Sequence, residues 1–200
     1  MKKILFLLIF LPIGSFTQNA DDQIKQIRTW YKEVESKLDQ CKIIKLYDFY
    51  DEDFVTGGSS EAMCFYDTIN NEIIKIIEET YYDWAIDRSS YYYHDGDIFF
   101  VFSEGNSPGE MYSADELGIS EEELWERGGE AKTLNYYQDR FYYHADVCIR
   151  HLNKALELSA EAEEPTFKEV DNETQKIDNE FTHSLMKHAI NLYLEFSKKL

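Results

Sequence analysis

Tyr91 to Phe102 reads YYYHDGDIFFVF: an aromatic run, a short polar turn and an aromatic-aliphatic run. Asp95-Gly96 at its centre is a strong hairpin signal, because a tight primed turn needs positive φ and glycine supplies it without steric cost. The flanking Tyr, Phe, Ile and Val suit a pleated, half-buried surface. Such a unit commits the chain to antiparallel pairing, and two other stretches share its grammar. CFYDTINNEIIKI precedes it and FYYHADVCIRH follows it. In the last copy Ala145-Asp146 stands in place of Asp95-Gly96-Asp97, so its turn is expected to be one residue shorter.

Reading outward gives the rest of the chain. Asp21 to Gln40 predicts an amphipathic helix, with Ile24, Ile27, Tyr31, Val34 and Leu38 on one 3.6-period face and Asn19, Asp21 and Asp22 at its positive end. Strands are expected at Cys41 to Tyr50, Glu61 to Asp67, Glu72 to Tyr82, Ser89 to His94, Asp97 to Ser103, Leu134 to His144 and Asp146 to His151. Asn70-Asn71 fits a turn in which positive φ is tolerated. Glu104 to Thr133 is a long break, with a capping-box pattern at Ser120 and Glu123 that predicts a short helix. From Leu152, LNKALELSAEAEE reads as helix up to Pro165, and Asp171 to Lys199 as a long final helix with Val170, Ile177, Phe181, Leu185, His188, Leu192 and Phe196 along one stripe. The expected fold is α+β: an antiparallel β-meander of about seven strands, with the N-terminal helix and the long C-terminal helix packed on it.

The hairpin grammar resembles the units of MORN-type bacterial repeat proteins. The order of helix, Tyr/Phe-rich meander and C-terminal helix also resembles a set of small secreted bacterial proteins. Neither resemblance implies an activity or a set of catalytic residues.

Lys2-Lys3 followed by the apolar run Ile4 to Ile13, then Gly14, Ser15 and Thr17, reads as a signal peptide over residues 1–17, cleaved just before Gln18 or Asn19. The mature chain, 18–200, is expected to be one domain with 104–133 as an insertion between hairpins, located in the periplasm or secreted. After leader removal no segment is apolar enough for membrane insertion. The formal charge is −19, and losing Lys2 and Lys3 takes it to −21. A surface this acidic repels nucleic acid and anionic lipid and favours basic partners. In an oxidising compartment an odd cysteine count suggests one disulfide among Cys41, Cys64 and Cys148, with all three pairings open; the alternative is three buried, unpaired thiols.

No cofactor motif, metal-ligand spacing or nucleophile elbow is present, and no catalytic residue stands out. Acidic clusters such as Glu121, Glu122 and Glu123 lack the spacing of a calcium loop. The unusual feature is aromatic: fifteen Tyr, thirteen Phe and three Trp, concentrated in the strands. Strict alternation would put Tyr91 and Tyr93 on one face, and Ile98, Phe100 and Phe102 opposite Phe99 and Val101, leaving both faces apolar. Either helices cover both faces or one is an exposed aromatic platform. The functional expectation takes the second. It describes a non-enzymatic interaction protein that binds a basic protein through Tyr91, Tyr93 and Tyr142 of the sheet and Tyr112 and Trp125 of the insertion. The alternative is a carboxylate-dependent hydrolase of glycans or peptides.

Overall fold

The computed structural model describes residues 15–46, 59–82, 85–163 and 165–200. The basic and apolar parts of the expected leader, and residues 47–58 with the end of the expected first strand, lie outside them. Helix α1 (Ser15–Lys37) starts earlier than the caps at Asn19 to Asp22 suggested, and continues through Gln18 without a break. A 3₁₀ turn at Leu38–Gln40 ends it. The strands follow: β1 (Lys42–Leu46), β2 (Ser59–Asp67), β3 (Glu72–Tyr81), β4 (Ile86–His94) and β5 (Asp97–Pro108). Two short helices, α2 (Ala114–Leu117) and α3 (Glu121–Glu126), precede β6 (Thr133–His144), β7 (Val147–Ser159) and β8 (Glu173–Thr174). The chain closes with α4 (Asn179–Ser197).

The architecture is α+β. Among the described residues the sheet has eight strands in chain order, each antiparallel to its neighbours. The strand beyond the expected seven is the two-residue β8, which pairs with Leu152 and Asn153. Leu152 onward is not helix. It continues β7 and pairs with the outer half of β6, from Arg140↔Leu152 to Thr133↔Ser159. The segment is rich in helix formers, but partner backbone beside it overrides a propensity of a few tenths of a kcal/mol per residue, roughly. The last helix is shorter than expected because the Asp178 carboxylate caps it, accepting from the Glu180 and Phe181 amides at 3.0 and 3.1 Å.

Two clusters divide the core. On one face, Ile76, Tyr91, Tyr93, Val101, Phe141 and Tyr143 pack under Met186, Ala189, Leu192 and Phe196 of α4. On the other, Ile74, Tyr92, Phe99, Phe100 and Tyr142 pack under Ile24, Ile27 and Val34 of α1. The α1 stripe is the expected one. The α4 stripe is rotated: Thr182, Met186 and Ala189 join Leu192 and Phe196, while Phe181 stays exposed. Each fully buried aliphatic or aromatic side chain contributes about 1.5–3 kcal/mol. Among the described residues no helix is long and apolar enough to cross a membrane.

The three hairpins share one irregularity. The register slips between Phe65 and Tyr66, between Tyr92 and Tyr93, and between Tyr142 and Tyr143. Each slip inserts one unpaired residue, Ile74, Phe99 or Ile149, as a β-bulge two residues into the returning strand. The bulge breaks alternation, so Phe99 and Phe100 both face α1 while Ile98 and Val101 both face α4. The last turn is not shorter than the central one. Both are two-residue turns, closed by His94↔Asp97 and His144↔Val147. Asp95 and Gly96 have φ of 54° and 85°, Ala145 and Asp146 of 47° and 63°. Alanine has no local side-chain bond to offset the left-handed region. Replacing Ala145-Asp146 by Asn-Gly is therefore expected to stabilise the protein by about 1 kcal/mol, read as a higher urea midpoint at unchanged slope.

Candidate functional site

Tyr91, Tyr93 and Tyr142 are 2, 1 and 6% exposed. They cannot form an open platform. Helix α4 covers Tyr91 and Tyr93 and helix α1 covers Tyr142, and several of the buried tyrosine hydroxyls find partners there. Tyr93 donates to the Ala189 carbonyl at 2.8 Å and Tyr143 to that of Thr182 at 2.9 Å, tying the sheet to α4. Tyr91 donates to Glu78 Oε2 at 3.1 Å, and His188 Nε2 of α4 meets the same oxygen at 2.8 Å. That bond from Glu78 holds the imidazole above its ordinary pKa. On the α1 side, Tyr92 and Lys75 both donate to Glu35 Oε1, at 2.9 and 2.8 Å. Burial pushes the Tyr91, Tyr92 and Tyr93 hydroxyls far up, so they stay neutral.

The insertion behaves differently. Because β5 runs on to Pro108, it spans Gly109 to Lys132 rather than Glu104 to Thr133. It is a built element. Tyr112 N donates to the Glu130 carbonyl at 2.9 Å, Lys132 N to that of Glu110 at 2.7 Å, and Met111 bridges Ala131. Lys132 Nζ clamps Glu110 and Glu116 at 2.9 and 2.7 Å and lies 5.2 Å from the Tyr112 ring centre. The Lys132 bond, with those from Ser113, holds the Glu116 carboxyl down to about 2. A full capping box forms at Ser113 and Glu116; at the expected site the Ser120 hydroxyl accepts from the Glu123 amide at 3.1 Å. From this frame Trp125 projects 86% exposed, and Met111 of the same insertion is exposed as well. Tyr112 is half-buried under Lys132.

A third feature was not anticipated. The ends of β3 to β6 carry a groove of about 430 Å³, lined by Tyr81, Tyr136 and Phe167 together with Glu79, Arg88 and Glu104. Glu79 and Glu104 flank Arg88 across the strands. A hydrolase would need one carboxyl held protonated as a general acid. Glu79 is held the other way: the Tyr81 hydroxyl and Arg88, outweighing burial, keep it ionised. Glu104 is engaged by Gln138 at 3.1 Å. The groove is a polar-aromatic surface rather than an acid–base pair.

The thiols are all free. Cys64 and Cys148 lie on the α4 side in β2 and β7, five strand spacings of about 4.8 Å apart along the sheet. Cys41 packs with the α1 side. Cys64 and Cys148 are therefore too far apart to be bridged within this sheet. Burial pushes all three thiols up, Cys64 to about 12, so thiolate chemistry is suppressed. Unfolded, unreduced protein is expected to titrate three thiols with Ellman's reagent, and folded protein fewer; a count of one would restore the bridge.

Among the described residues no cluster of three or more His, Cys, Asp or Glu side chains is placed to hold a metal ion. His94 and His144, equivalent in the hairpin grammar, part company: His94 stacks on Trp30 at 4.5 Å, whereas His144 is exposed. Comparison with protein-family models, curated proteins and solved structures gives no match.

Proposed function

We propose that this is a non-catalytic interaction protein, exported to the periplasm or the cell exterior, which grips a basic protein partner through the insertion between β5 and β6. The observation that carries the reading is Trp125, a large apolar side chain left in water on a braced and capped helix. Burying such a ring is normally favourable, and a tryptophan ringed by charge is the usual composition of an interface hot spot. Its surroundings select the partner's charge. Gly109 to Lys132 carries eight carboxylates and two basic side chains, and both basic ones are engaged, Arg127 by Glu123 and Lys132 by Glu110 and Glu116. The net acidity of the whole chain would speed encounter with a basic partner and reject acidic competitors. The export part of the reading rests on the Lys2-Lys3 and Ile4 to Ile13 leader.

Pull-down from the native envelope at low and at moderate salt tests it. Trp125→Ala is expected to lower capture about 30-fold, the size of a hot-spot loss. Glu122→Lys is expected to slow association and flatten its salt dependence. Trp125→Ala should leave the unfolding free energy within about 0.5 kcal/mol of the parent, since the residue is 86% exposed. Capture that survives both substitutions would refute the reading.

A further inference from the structure

The chain has about twice as many acidic as basic residues, 39 against 20. An arginine in such a chain is expected to find a carboxylate. Arg88 and Arg127 do. Arg28, Arg140 and Arg150 have no carboxylate partner among the described residues, and two of them line one pocket with the third on the neighbouring strand. Arg28 and Arg140 line a pocket of about 270 Å³ between the flank of α1 and the sheet. Arg150 stands directly across the strand from Tyr142, on the same face.

The walls of this pocket are rings. Tyr31 comes from α1; Phe100, Phe102 and Tyr142 come from β5 and β6. Tyr31 meets Phe100 edge-on at 5.4 Å, and Phe100 lies 5.1 Å from Tyr142. The Arg140 guanidinium lies 5.2 Å from the Phe102 ring centre, held there by the amide oxygens of Asn172 and Gln138, each at 3.0 Å. Those partners are neutral. They orient the guanidinium, use two of its five donors and leave its charge uncompensated. Arg28 follows Lys25 and precedes Lys32 on the exposed side of α1, and no acidic side chain stands three or four residues from it. Glu35, whose field reaches the Tyr31 hydroxyl, is already taken by Lys75 and Tyr92.

From this arrangement we infer that the pocket is a binding site for a small aromatic carboxylate, with the ring between Tyr31, Phe102 and Tyr142 and the carboxylate at Arg28 and Arg140. Planar guanidinium groups match a carboxylate in geometry as well as charge. Aromatic walls select a flat apolar body over a bare inorganic anion. The local positive field lets an anion approach a protein that is otherwise strongly acidic. This site is independent of Trp125 and of the partner proposed for it.

Calorimetric titration with 3-phenylpropionate, its neutral amide 3-phenylpropionamide, and inorganic phosphate is the test. The acid is expected to bind the parent protein about tenfold more tightly than the amide, the worth of one charge-assisted contact. Arg28→Ala, on an exposed helix surface, should abolish that preference while leaving the amide's affinity unchanged. Arg150→Gln should reduce the preference by a smaller factor, and circular dichroism confirms that both variants are folded. The inference is overturned if acid and amide bind the parent equally, if neither binds, or if Arg28→Ala leaves the preference intact. It is also overturned if inorganic phosphate displaces the acid at equal concentration, since the rings would then have no role.

Discussion

Tyr93→Ala is expected to destabilise the protein by about 3–5 kcal/mol, a large fraction of the roughly 5–15 kcal/mol that holds a typical domain folded. The side chain is 1% exposed. Its ring packs 5.0 Å from that of Tyr193, and its hydroxyl holds the Ala189 carbonyl of α4. Truncation leaves a cavity where sheet and helix meet, and the helix has few other ways to close it. Tyr93→Phe keeps the ring and loses one hydrogen bond, a change of about 1 kcal/mol. Urea unfolding measures both, and amide exchange should show α4 opening first in the alanine variant. A Tyr93→Ala cost below about 1 kcal/mol would mean that α4 is not seated as described.

Gly105→Ala should be nearly as damaging, for a different reason. A β-carbon there would stand 2.3 Å from the Ile86 carbonyl oxygen, 2.6 Å from Asp87 Oδ1 and 2.9 Å from the Tyr137 hydroxyl. The last two form a hydrogen bond directly over the glycine. Strand β5 is paired on both sides, so the backbone cannot step aside. Overpacking of this kind costs about 1–3 kcal/mol, and displacing the Tyr137–Asp87 bond adds about 1 kcal/mol. Gly118→Ala is the control: φ is 67° and nothing lies within 4 Å, so only the conformational cost of about 1 kcal/mol applies. Thermal or urea denaturation should rank Gly105→Ala as clearly the worse, and equal losses would remove the steric account.

How much of this was legible in the chain follows from where the information sits. The three hairpins could be read because their signals are local: a turn residue with positive φ between two runs of strand formers. The α1 stripe could be read for the same reason. The bulges could not, because an extra residue shows only in the register between two strands. The extension of β7 was hidden because LNKALEL favours helix locally and becomes strand only beside β6. The fate of the tyrosines was hidden further still. The carbonyl that satisfies Tyr93 belongs to Ala189, ninety-six residues downstream. The exposure of Trp125 follows from the charged residues around it in the chain. The arginine pocket was not legible, since Arg28 and Arg140 line it together only through the docking of α1, and Arg150 reaches the same sheet face only through the pairing of β6 with β7.

Strand order has a kinetic consequence. Since every strand pairs with its sequence neighbour, the three hairpins β2–β3, β4–β5 and β6–β7 can close through short loops, with the β1–β2, β5–β6 and β7–β8 pairings waiting on longer ones, and such topologies fold quickly for β proteins. The two covering layers come from opposite ends of the chain. During synthesis α1 emerges first and can shield its side as the hairpins form, whereas α4 emerges last. Until it arrives, Tyr91, Tyr93, Val101 and Phe141 form a bare apolar sheet surface, and a chain that stops before Asn179 keeps it bare. Premature termination, more than any single substitution, is the lesion that would turn this molecule into an aggregating one.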